Sequence, residues 1–268
     1  MNVEALALAA LMCADPQEKC ALTVEILTRW RGGELARSGQ CLAGRIDEPG
    51  RPLRPELAPP DQVPRRSPYT PHGRAALVHA VAHIEFNAIN LALDCVLRFS
   101  VEGDEFVTQW LSVASEESHH FSLLCARLQS MGYAYGDFAA HNGLWDMAVK
   151  TDDDFLARMA LVPRLLEARG LDATPLIQAK LRQVGDTETV EILDIILRDE
   201  IGHVAIGDKW FRVECARRGL EAEEAFRRLI GRFGALPPRP PLNIEARLAA
   251  GFSSDEIKRF ETMERVRQ

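Results

Sequence analysis

Two five-residue stretches of this 268-residue chain concentrate metal-ligating side chains: EESHH at 116–120 and DEIGH at 199–203. Each sets a glutamate three residues before a histidine, Glu117 with His120 and Glu200 with His203. On an α-helix that spacing brings both side chains to one face. Carboxylate oxygen with imidazole nitrogen is a donor set for divalent first-row metals such as iron and manganese. One such pair means little, since seven histidines and 23 glutamates in 268 residues give about 0.6 Glu-x-x-His pairs by chance. Three occur, and two of them fall on apolar stripes.

The stripes decide which side chains look inward. On a helix, Glu117 and His120 share their face with Trp110, Val113, Ala114, Phe121, Leu124 and Leu128, whereas Glu116 and His119 neighbour Gln109, Ser112, Leu123 and Arg127. Glu200 and His203 are flanked by Leu193, Ile196, Leu197, Val204 and Phe211, with Asp199 at the edge, placed to accept a hydrogen bond from a ligand histidine. Glu85 interrupts another apolar stripe, and Glu167 is the carboxylate of a fourth helix. Burying four carboxylates requires opposite charge, and these stripes hold few basic residues. Two divalent cations balance four carboxylates, and two histidines complete a mixed oxygen and nitrogen coordination.

The spacing repeats: Glu117 follows Glu85 by 32 residues and Glu200 follows Glu167 by 33. Each half therefore reads as a single-glutamate helix followed by a Glu-x-x-His helix, and two such hairpins about a pseudo-twofold axis converge six ligands. The elements that must position them are helical. Asp15, Pro16 and Glu18 start a helix that runs to about Arg31. Eight prolines between 48 and 71 forbid regular structure there. Helical periodicity then predicts helices over 74–99 and 104–131, one from a Thr151 N-cap to about Arg169, a short piece over 174–184, and one over 187–217. Behind the proline cluster LPPRPP, Ser253 and Glu256 form a capping box for a last helix. Pro163, one turn before Glu167, predicts a bend beside the site. No β-rich segment or fixed repeat is evident. The fold class is all-α, organised as an N-terminal helical extension (1–47), a Pro-rich connector (48–73), a four-helix bundle (74–217) and a C-terminal helical tail (218–268).

Composition narrows the function. A net charge of −7 removes the broad attraction on which non-specific nucleic-acid binding depends, leaving Arg65 with Arg66 as a local basic pair. No run reaches the roughly 20 apolar residues of a membrane span, and the N-terminal stretch carries Glu4 without a basic lead. Six scattered cysteines without metal spacing read as packing residues in a reducing compartment, so the expected location is cytoplasmic. His79 and His83, four apart on the 74–99 helix, lie off the Glu85 face and read as hydrogen-bonding residues, with His83 a candidate partner behind the ligands. His141 sits in a glycine-containing loop where it could line an entrance; Trp110 and Trp145 read as packing; Asp152, Asp153 and Asp154 read as a helix N-terminus.

The arrangement resembles the ferritin-like di-iron carboxylate proteins, built on a Glu from each of two helices and Glu-x-x-His from the other two. The resemblance covers roughly 74–217. HIEFNAINLALD, YGDFAAHNGLW, ALVPRLLEARGLD and ILRDEIGHVAIG look, more narrowly, like a bacterial ferritin-like family known only as domain of unknown function 455. It implies Glu85, Glu117, His120, Glu167, Glu200 and His203 as ligands of two iron ions, or of manganese or an iron–manganese pair. The implied activity is that of an O2-activating oxidoreductase, a hydroxylase or oxygenase acting on an unidentified small molecule. With no nucleotide or flavin fingerprint in the chain, electrons would come from an external donor. The alternatives are an iron-handling or peroxide-consuming protein of ferritin or rubrerythrin type, against which the missing Cys-x-x-Cys pair argues, a tRNA-nucleoside hydroxylase, to which the acidic balance lends no support, and a metal-stabilised interaction module. A homodimer is compatible with all of them.

Overall fold

The computed structural model describes residues 2–64 and 67–263, so the Arg65–Arg66 pair lies outside the described residues. Among those described the chain is all-α, with β structure limited to isolated bridges joining Asn2 to Ala36 and Leu57 to Ala140. It divides into two compact units, Met1–Asp152 and Asp153–Gln268.

The first unit holds α1 (Val3–Met12), α2 (Pro16–Arg31), α3 (Pro71–Phe99), α4 (Asp104–Ser130) and α5 (Gly143–Lys150). The long helices α3 and α4 pack along each other, with α1 against α3 and α2 against α4. The start of α2 is as the sequence predicts: Asp15 Oδ1 accepts from the Glu18 amide at 2.8 Å and Pro16 opens the helix. Among its described residues the connector holds no regular helix before Thr70, and it is tied down by the Ala58 amide on Ala140 O (2.8 Å) and the Ala140 amide on Glu56 O (3.0 Å). Helix α3 starts three residues earlier than the periodicity indicates, because Thr70 Oγ1 caps the Gly73 amide and Pro71 already has helical φ. Contrary to the expectation from apolar runs, α3 is long and apolar enough to cross a membrane; most of it is buried inside the protein, as befits a core helix. Beside it the buried Lys19 donates to Leu11 O (2.9 Å), Gly50 O (2.8 Å) and Asn90 Oδ1, joining α1, the connector and α3 through neutral acceptors.

The second unit corrects the helix boundaries. Asp154, not Thr151, is the cap, accepting from the Ala157 amide at 3.2 Å, while the Thr151 hydroxyl turns back to Met147 O. From there α6 (Phe155–Leu161), a π-helical stretch (Val162–Glu167) and α7 (Ala168–Gln183) follow without a break, through Gly170, where the sequence predicts a stop, and on through Pro175 in the predicted 174–184 piece. The reason is packing: Leu171, Thr174, Gln178 and Leu181 recur at helical spacing and are buried, and α7 runs along α8 (Thr187–Arg217). The bend predicted at Pro163 takes the form of the π stretch, since proline offers no N–H to the regular ladder. Its ring lies on α8 where a Cβ added to Gly207 would come within 2.4 Å of Pro163 Cβ and Cγ.

Three shorter helices, α9 (Ala222–Arg232), α10 (Ile244–Ala249) and α11 (Ser254–Met263), complete the unit. The Ser253–Glu256 capping box forms, with Ser253 N on Glu256 Oε2 at 2.8 Å and Glu256 N on Ser253 Oγ at 3.0 Å. Glu256 also belongs to a buried ionic cluster. Arg164 donates to Asp208 Oδ1 (2.6 Å) and to Glu256, Arg212 donates to both acids, and the Arg164 guanidinium lies 4.1 Å from the Phe226 ring centre.

Candidate metal centre

Regular helices α3 and α4 bring three of the sequence-predicted ligands together in the first unit. Glu85 is 3% exposed, and Glu117 and His120 are fully buried. His120 Nδ1 lies 3.1 Å from Glu85 Oε2 and 3.3 Å from Glu117 Oε2. Burial alone would lower the His120 pKa, but hydrogen bonds and charge from Glu117 and Glu85 outweigh it and raise the value to about 11. Each residue offers a ligand atom within 4.8 Å of the others, so this buried carboxylate and histidine cluster could hold a metal ion. The donor set fits one. Two desolvated carboxylates demand a compensating cation, which the imidazolium proton supplies in this geometry and a divalent ion would supply with the histidine as ligand.

In the second unit Glu200 is 8% exposed and His203 fully enclosed at 1%. His203 Nδ1 lies 3.8 Å from Glu200 Oε1, too long for a hydrogen bond between these two atoms. Glu167 is half-buried at the junction of the π stretch with α7. Asp199 accepts two hydrogen bonds from the adjacent Arg198, at 2.9 and 3.2 Å.

The other singled-out residues have structural partners. His83 Nδ1 meets the Tyr135 hydroxyl at 2.9 Å, and its Nε2 faces His141 O at 3.2 Å and Asn87 Nδ2 at 3.1 Å. Burial, with the neighbouring His79, lowers its pKa to about 4, so it is a neutral ring. His79 Nε2 accepts from the Gly136 amide at 2.9 Å and its ring stacks on Tyr135. His141 Nδ1 accepts from the Gly143 amide. Trp110 and Trp145 are buried, as packing residues should be. The assignment of all six cysteines to packing fails at Cys41, which is exposed because it lies in a loop outside the helices, with its thiol on Ala43 O.

Sequence reasoning missed Tyr135. It sits in the YAYGDF loop that merely interrupts the helical pattern, yet it contacts His79, His83, Phe86 and Phe121. Three aromatic residues spaced around a glycine directly after a helix were the available signal. Tyr135 and Phe121 also line a cavity of about 970 Å³ in the first unit, with Cys20, Cys125, Ser122 and Arg54. Burial raises both thiols, Cys125 to about 12, so they meet the cavity as neutral SH groups.

A family model described as "Protein of unknown function (DUF455)" matches residues 12–258. An uncharacterized protein of Haemophilus influenzae is 46% identical over 265 residues, spanning 92% of this chain and 90% of the relative. No solved structure matches.

Proposed function

Since the chain belongs to the DUF455 family, whose description assigns no activity, we propose from its own residues that it is an oxygen-activating oxidoreductase. Its type is that of a hydroxylase or oxygenase holding two iron ions or an iron–manganese pair. The ligands in this reading are Glu85, Glu117, His120 and Glu200, with His203 and Glu167 added on the repeated sequence pattern alone. The two Glu-x-x-His hairpins are then the halves of a ferritin-like bundle, as their matched spacing of 32 and 33 residues argues. When bound, such a metal pair supplies the electrons that reduction of dioxygen needs, a task beyond amino-acid side chains.

The protein's part is charge, position and exclusion of water. Glu85 and Glu117 hold the negative charge that retains the cations, and His120 is fixed between the two carboxylates. Trp110, Val113, Phe121 and Leu124 are buried along α4 and keep bulk water from these groups. The observation that carries an enzymatic reading over a closed structural metal is the 970 Å³ cavity: its wall includes Phe121, the residue next to His120, and its volume suits an organic substrate. An oxygen electrode tests the reading. Protein loaded with ferrous iron under anaerobic conditions should consume dioxygen on mixing, and a chemical reductant should sustain uptake. Uptake no faster than that of free ferrous iron at equal concentration would refute it.

A further inference from the structure

The proline cluster LPPRPP faces α7 across a second, separate pocket in the second unit. The pocket encloses about 340 Å³ between Arg169, Asp172 and Leu176 on α7 and Leu236, Arg239 and Pro241 in the segment between α9 and α10. Its walls are largely apolar, and Leu176 and Leu236 are 47% and 51% exposed, a high value for leucine side chains facing each other across a groove. Its charges are unbalanced. Arg169 is half-buried and spends one N–H on Leu236 O at 2.9 Å. Arg239 adds a second guanidinium, and among the described residues neither has a carboxylate partner. The acid in the pocket is already engaged: Asp172 accepts from the fully buried Arg247 at 2.9 and 2.6 Å and from the Asn243 amide at 2.9 Å. Burial and the charge of Arg239 both push the Arg169 pKa down, the mark of a cation lacking its counter-charge.

We propose that this pocket binds an amphipathic organic oxyanion, with a carboxylate or phosphate held between Arg169 and Arg239 and an apolar body against Leu176, Leu236 and the prolines. Guanidinium is the group suited to planar and tetrahedral oxyanions, because its N–H donors pair with two oxygens at once. The spare donors of Arg169 and all those of Arg239 are available for this, and a pocket of this size takes a small molecule. Nothing in the inference depends on a metal ion.

Calorimetric titration of the protein as purified with octanoate, phenyl phosphate, inorganic phosphate and 1-octanol tests it. Octanoate and phenyl phosphate should show saturable binding, and inorganic phosphate should bind at least about tenfold more weakly for want of an apolar body. 1-Octanol should not bind. Arg239→Gln, at an exposed position, should weaken octanoate and phenyl phosphate by at least about tenfold without changing the melting temperature. Arg169→Gln should do likewise, and Arg228→Gln on the surface of α9 should bind as wild type does. The inference is overturned if neither organic anion saturates below about 10 mM, if Arg239→Gln binds as wild type does, or if 1-octanol binds as well as octanoate. Inorganic phosphate binding as tightly as the organic anions would overturn the amphipathic part. Should Arg169→Gln fail to fold, Arg239→Gln decides alone.

Discussion

The two halves of the predicted ligand set carry the same sequence pattern and differ in geometry. In the first unit, Glu85, Glu117 and His120 stand on uninterrupted helices, buried and within 3.3 Å of a shared ring nitrogen. In the second, the single glutamate sits at the end of a π stretch and is half-buried, and His203 Nδ1 lies 3.8 Å from Glu200 Oε1. The difference at Glu167 originates in one residue. Pro163 cannot donate to the regular ladder, so the turn before Glu167 widens, and Gly207 on α8 receives the displaced ring. Spacing along a sequence translates into direction in space only while the helix keeps its 3.6-residue period.

Two buried cations, one in each unit, are also held differently. Lys19 is held by two carbonyls and an amide oxygen, Arg164 by two carboxylates and three aromatic faces. A cation among neutral acceptors has only hydrogen bonds to lose. One paired with buried acids leaves uncompensated charge when removed.

The largest expected effect is on the ligand sets. Glu117→Ala or His120→Ala should lower metal affinity by about 100-fold or more, and Glu167→Ala by only about tenfold, in chelator competition. Equal losses would erase the distinction between the halves. Next come the buried cations: in urea melts Arg164→Met should cost about 3–5 kcal/mol and Lys19→Met about 1–3 kcal/mol. The reverse order would contradict the account of their partners. Gly207→Ala should cost about 1–3 kcal/mol by overpacking against Pro163 Cβ and Cγ, and adding Pro163→Gly, which removes both atoms, should recover most of it. If the double variant is no more stable than Gly207→Ala alone, the ring contact does not constrain this turn.

The smallest effects are in pH dependence, and their signs are fixed. Burial lowers the Lys19 pKa from 10.5 to about 7, so the unfolded chain binds more protons between those values and stability should rise with pH across that window. Lys19→Met should flatten the rise. Burial alone would raise Glu256, but Arg164 and Arg212 outweigh it and hold the pKa below its ordinary 4.5. Its contribution is therefore present above pH 4.5 and lost as the pH falls through the lowered value. In Glu256→Gln that acid-sensitive part should vanish from the stability profile.

Much of this was legible in the sequence because it rests on periodicity and local chemistry. Asp15, Ser253 and Glu256 form the caps their order predicts, and the apolar stripes of α3 and α4 carry Glu85, Glu117 and His120 inward. What escaped depends on contacts distant in sequence. The continuity of the helix through Gly170 and Pro175 comes from packing on α8, which outweighs local breaking preferences. Arg164 meets Glu256 across 92 residues and Tyr135 meets His83 across 52, separations that no local pattern encodes. The pairing of Arg169 with Arg239 in one pocket likewise needed the fold.

The most direct test is the metal content of wild type and Glu117→Ala purified side by side from cells supplied with iron and manganese. The account predicts about two ions per wild-type chain and a loss of most of that metal in the variant, with its helical content retained. A wild-type chain that holds no metal even after anaerobic reconstitution, or a variant that holds as much as wild type, would contradict it.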